Sequence, residues 1–161
     1  MNRTSFGKKN LNNFEWITGA QMRFYWAKEK LGSIKQLIEA NNADAAAQEI
    51  SVAKSWLNAA GSMNKIGAGI SGEEFDELRT RNYANKLLQK AEQSNPALSQ
   101  EAMQHLIYAR AEFGESAYLA AAFDAAFVIS FTTPQGNVSY AKPLIEQYAD
   151  FSKTVWAQVY F

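Results

Sequence analysis

The chain has 161 residues, 47% of them hydrophobic and 13% aromatic, which suits one domain of ordinary size with a core that needs no covalent staple. Sixteen basic residues balance sixteen acidic ones, so no net positive field gathers phosphates, and nucleic acid is not an expected partner. With no cysteine, disulfides, thiolate nucleophiles and cysteine zinc sites are all excluded.

Residues 1–10 carry basic side chains but no apolar run after them, so they are expected to be flexible and not a signal peptide. From Leu11 to Ile38, the residues Phe14, Ile17, Phe24, Tyr25, Leu31, Ile34, Leu37 and Ile38 follow a helical period. That predicts one long helix, or two broken at Gly32. Asn41 to Asp44 is a turn, and Asn42 or Asp44 can cap a second helix that presents Ile50, Ala53, Trp56 or Leu57, and Ala60 inward. Gly61 is expected to end that helix, and the glycine-rich run to Ile70 to be the main loop.

Ser71 and Glu74 have the spacing of a capping box for a third helix, with Phe75, Leu78, Leu87, Leu88 and Ala91 on its inner side. Asn95-Pro96 stops it. Ser99 caps a fourth helix with Ala102, Leu106, Ala109 and Phe113 inward, closed by Gly114. Ser116 is expected to cap a fifth, residues 116–131, in which Asp124 is the sole ionisable acid or base among alanines and phenylalanines. A helix apolar all round belongs inside a bundle, and its acid needs a partner such as Arg110. Ser139 starts a sixth helix with Leu144, Tyr148, Phe151 and Val155 on one face and Pro143 in its first turn.

These elements predict an all-α fold: a single domain spanning 1–161, a bundle of about six helices in antiparallel hairpins, with helix 116–131 central and buried. The pattern is unfinished at Phe161, so the chain is expected to be a fragment of a longer protein.

The chemistry-bearing residues are few. His105 is the sole histidine, with Glu101 four residues before it, and no Gly-x-Ser-x-Gly turn presents a serine. One histidine at that spacing cannot build a bundle-type two-metal site, and the acids from Glu73 to Glu77 suit capping and solvation. Gly67 to Gly72 departs from a phosphate-binding loop and reads as a hinge; Arg23-Phe24-Tyr25-Trp26 reads as core packing with a snorkelling arginine. Asn2-Arg3-Thr4 and Asn137-Val138-Ser139 permit glycosylation. No catalytic residue, cofactor or metal is expected.

The segment Ala109-Arg110-Ala111-Glu112-Phe113-Gly114-Glu115-Ser116-Ala117-Tyr118-Leu119-Ala120-Ala121 resembles a tetratricopeptide-type hairpin, matching it at Tyr118 and Ala121; Ala125 and Val128 stand where that family prefers an aromatic and an alanine. The alanine-rich hairpins and aromatic last helix are also similar to the non-catalytic helical region of Lon-like archaeal membrane serine proteases. That resemblance implies an accessory part of an exported or membrane-tethered protein, with no protease residue carried over; otherwise the chain would be cytoplasmic. The function expected is a non-enzymatic helical-hairpin domain that binds protein or peptide, the rest of its own polypeptide included. Trp156, Tyr160 and Phe161 are its candidate contact residues. Two alternatives stay open: a small-ligand carrier or enzyme with a pocket around Asp124, and a self-assembling structural module that forms a homodimer.

Overall fold

The computed structural model describes residues 6–94 and 99–132, and among them there are five helices and no strand. They are α1 (Phe14–Glu39), α2 (Ala43–Ala68), α3 (Glu77–Gln93), α4 (Gln100–Gly114) and α5 (Tyr118–Thr132). The sixth helix expected from Ser139 lies outside the described residues, as do Trp156, Tyr160 and Phe161. The fold is all-α. The chain divides into two compact units, residues 1–74 and 75–161.

In the first unit α1 is unbroken through Gly32 and packs along α2. Its last turn closes on Asn41, which takes the left-handed conformation at φ 57°. The amides of Asn41 and Asn42 then donate to the carbonyls of Ile38 and Leu37, the two bonds of a Schellman motif. Asn42 at once caps α2, its side-chain oxygen accepting from the Ala45 amide.

The buried positions of α2 are Ala46, Ala53, Ala60 and Gly67, one every seventh residue. Three of the buried residues of α1, Ala20, Ala27 and Ile34, repeat at the same interval. Small side chains at a seven-residue period let two helix backbones approach closely along one seam. The expected stop at Gly61 is therefore corrected: α2 runs on to Ala68. A mid-helix glycine costs about 1 kcal/mol, a penalty that packing beyond it readily offsets. A Cβ on Gly67 would lie 2.6 Å from Ile17 Cδ1, so that glycine serves close packing, not a loop.

The capping box at Ser71 is likewise corrected. Asp76 caps α3, accepting from the Arg79 amide at 3.0 Å, while residues 70–74 bind back to the start of the chain. Asn10 Nδ2 donates to the Ile70 carbonyl, Asn12 Nδ2 to that of Ser71, and Asn13 Nδ2 to those of Lys8 and Gly67. Asn10 Oδ1 also accepts from the amides of Asn12 and Asn13. Three asparagines, each with donors and an acceptor on one short arm, thus satisfy the backbone of two chain segments that form no helix.

In the second unit α5 packs against both α3 and α4. Leu88 and Ala91 of α3, Leu106 and Ala109 of α4, and Ala125 and Val128 of α5 share one apolar cluster, edged by Leu87, Phe113 and Ile129. Burial on α5 goes all round: Ala117 and every residue from Leu119 to Ala125 are buried. Ser99 caps α4, accepting from the Ala102 amide. Ser116 does not cap α5. It is the left-handed residue after α4, at φ 63°, where Ser116 and Ala117 amides donate to Phe113 and Glu112 carbonyls in a second Schellman motif. Leu78, expected inward, is 66% exposed, because α3 begins at Glu77 and its first turn lies outside the cluster.

Candidate functional site

Two places in the described residues combine features that packing alone does not require. The first is an acid–histidine pair in the second unit. His105 sits on α4 and Asp124 on α5, and the short α4–α5 connection brings Nδ1 of the imidazole within 2.6 Å of Asp124 Oδ1. The Asp124 carboxyl is fully buried and the His105 side chain is 17% exposed. An ionised carboxylate can only accept, so Nδ1–H donates and the ring is held in that tautomer and orientation. The Phe127 ring lies 4.1 Å from the imidazole centroid, and Tyr108 meets it edge-on at 5.5 Å.

Asp124 was expected to pair with Arg110 or another basic residue, and the basic residue beside it is His105, while Arg110 pairs elsewhere. It is exposed on α4, and its Nε donates to Glu92 Oε1 of α3 at 2.9 Å. A second acid, Glu112, is also fully buried on α4. Sequence reading passed over it. The signal was present, since His105, Tyr108 and Glu112 recur at the three- and four-residue intervals that place them along one helix face.

An Asp–His pair can orient a general base, as in the serine hydrolase triad. Of the hydroxyls on α5, Ser130 Oγ donates to the Phe127 carbonyl and Tyr118 OH donates to Ser116 Oγ. Among the described residues no group of three or more histidine or acidic side chains could hold a metal ion. No helix among them is long and apolar enough to cross a membrane.

The second place is on the first unit. Leu31, Ile38, Ile50 and Leu57 are between 38% and 60% exposed. Ile50 and Leu57 were expected to face inward. The seam of α2 is corrected to its small residues, and the branched side chains stand beside it. Each of the four lies four residues after a seam position: Ala27, Ile34, Ala46 and Ala53 respectively. On the other flank, three residues after seam positions, Lys30 pairs with Glu49 and places its Nζ over the Trp56 ring. Trp26 and Trp56 meet there edge-on at 5.6 Å. One flank of the α1–α2 pair carries the Trp26–Trp56 contact and the Lys30–Glu49 pair, with Val52 and Ile66 exposed beyond them, and the other exposes Leu31, Ile38, Ile50 and Leu57.

No protein-family model, curated protein or solved structure matches this chain. The site must be read from its own chemistry.

Proposed function

We propose that the chain is a non-enzymatic helical domain that mediates protein or peptide interaction, its helices arranged as antiparallel hairpins and continued by a sixth helix from Ser139. The hairpin reading draws support from pairs whose numbers fall along one helix as they rise along the next. Lys30 meets Glu49, Trp26 meets Trp56 and Ile17 meets Gly67; in the second unit Phe113 meets Tyr118 and His105 meets Phe127.

The observation that carries the function is the aliphatic row of Leu31, Ile38, Ile50 and Leu57. Two antiparallel helices are related by a twofold axis perpendicular to their common plane, an operation that leaves front as front. Residues offset by the same four positions from the seam on each helix then share a face, and the four side chains form one surface. Grooves between paired helices accept extended or helical segments by such apolar anchors. Trp156, Tyr160 and Phe161, outside the described residues, are further candidate contact residues of the chain. The tetratricopeptide-like and Lon-like resemblances suit an accessory part of a larger protein.

Affinity capture from source-cell lysate, run in parallel with wild type and with Leu31→Asp/Leu57→Asp, tests this reading. A protein retained by the wild type and lost by the variant supports it; identical capture by both, or none by either, removes it.

The His105–Asp124 pair favours a second reading, a small-ligand or catalytic site at Asp124. The aromatic rings of Tyr108 and Phe127 against the imidazole argue for a structural role instead.

A further inference from the structure

We infer that the occupant of the α1–α2 face is an amphipathic helix edged with Asp or Glu. This deepens the interaction reading above and depends on it. The argument begins with what borders the aliphatic row. Moving outward from it, the next positions on each helix are those one residue after the seam. On α1 these are Gln21, Lys28 and Lys35; on α2 they are Ala47, Lys54, Gly61 and Ala68. Three are lysines and none is acidic, in a chain whose sixteen basic and sixteen acidic residues cancel. Lys28, Lys35 and Lys54 are all exposed. Glu39 lies further round α1, 3.8 Å from Lys35 Nζ, and both side chains are largely solvated, so it only partly offsets that lysine. The face is an apolar strip with a cationic rim on both sides.

Its dimensions suit a helix. Leu31 and Ile38 on α1, and Ile50 and Leu57 on α2, are each seven residues apart, so each row rises by about 10 Å, the i to i+7 spacing of anchors on a docking helix. One end is bounded by Phe24, which Phe6 covers with ring centroids 5.5 Å apart. The other is the turn at Asn41 and Asn42. From Phe24 to Ile38 the strip extends about 21 Å, room for a helix of about 14 residues.

Charge decides between the possible occupants. A second copy laid face to face would set lysine rims against lysine rims, which costs association energy. A membrane surface would attract the lysines too, but an interfacial helix buries a broad apolar face, whereas here the strip offers four aliphatic side chains and the aromatic beside it, Phe24, is turned against Phe6. A helix carrying leucine-like anchors flanked by carboxylates satisfies both the strip and its rim.

The test uses the full chain and three labelled synthetic helices of about 18 residues, read by fluorescence anisotropy. One has leucines at i, i+4 and i+7 flanked by glutamates. The second replaces the glutamates with lysines, and the third keeps the glutamates and replaces the leucines with serines. The first is expected to bind, the others at least about tenfold more weakly. Lys28→Gln/Lys35→Gln/Lys54→Gln should weaken the first about five- to tenfold, the sum of three rim charges, while leaving the unfolding midpoint in place. Equal binding of the first two helices would overturn the acidic assignment and leave the interaction reading standing. Binding of none would remove both. A photoreactive residue replacing Leu57 should cross-link to the first helix. Cross-links to a second copy or to residues 139–161, or retention by vesicles of phosphatidylserine with no binding of the helix, would assign the face elsewhere and overturn the proposal.

Discussion

The His105–Asp124 contact ties α4 to α5 within the second unit, and a buried carboxylate depends on its hydrogen bonds. Removing one member of a buried pair leaves the other desolvated and uncompensated, whereas replacing both by apolar groups of similar volume is often neutral. His105→Ala is expected to lower unfolding free energy by about 1–3 kcal/mol, the loss of one hydrogen bond to a buried carboxylate, and His105→Leu/Asp124→Leu to recover most of that loss, in urea titrations of the full chain. If the pair instead serves a ligand, the double substitution abolishes binding while stability is restored. Tyr83 gives a pH prediction. Its phenol is half-buried on α3, and desolvation raises its pKa above the ordinary 10.0, since the phenolate is the form that burial disfavours. A raised acid contributes stability that is complete below pH 10 and is lost as pH climbs through the folded-state value. The urea midpoint of the wild type should thus fall above pH 10 more steeply than that of Tyr83→Phe.

The helices owe their boundaries to a few polar side chains and their lengths to packing. Asn42, Asp76 and Ser99 each accept from an amide of the first turn, and such caps are visible in a sequence as short oxygen-bearing residues ahead of a periodic run. The C-terminal ends are less legible. Glycine is the usual left-handed residue, yet here Asn41 and Ser116 hold that conformation while Gly61 sits inside α2 and Gly114 ends α4 in helical geometry. The two glycines of α2 separate these roles experimentally. Nothing approaches a Cβ at Gly61 within 4 Å, so Gly61→Ala should raise stability by about 1 kcal/mol through backbone entropy and helix propensity. At Gly67 the new methyl would press on the buried Ile17 side chain and the Trp16 Cβ, and Gly67→Ala should destabilise by about 1–3 kcal/mol. Thermal unfolding of the two variants, which are predicted to move in opposite directions, checks both.

Across the whole chain, charge neutrality conceals an uneven distribution. The first unit places Trp26, Trp56 and a Lys30–Glu49 pair on one flank of the helix pair, and Leu31, Ile38, Ile50 and Leu57 with three lysines on the other. A surface kept for binding has little part in stability, since exposed side chains away from caps and cores usually contribute within about 0.5 kcal/mol each. The quadruple variant Leu31→Gln/Ile38→Gln/Ile50→Gln/Leu57→Gln should retain the helical circular dichroism and unfolding midpoint of the wild type while losing the partner captured through that face. A collapse of the fold would mean that the four residues are core, contrary to their exposure.

Composition and periodicity were enough to establish an all-α chain, because a 3.6-residue apolar repeat with capped starts has few other solutions. They also sufficed to mark Asp124 as an acid enclosed by apolar neighbours, since no other charge stands within ten residues of it except Glu115. They could not say which basic group answers it, as His105 lies 19 residues away and meets it only after the α4–α5 connection turns back. Nor could they rank Ile50 and Leu57 against Ala46, Ala53, Ala60 and Gly67 for the seam of α2. Hydrophobicity favours the larger side chains, but close approach of two backbones favours the smaller, and that contest is resolved by the partner helix, which appears in no local stretch of sequence.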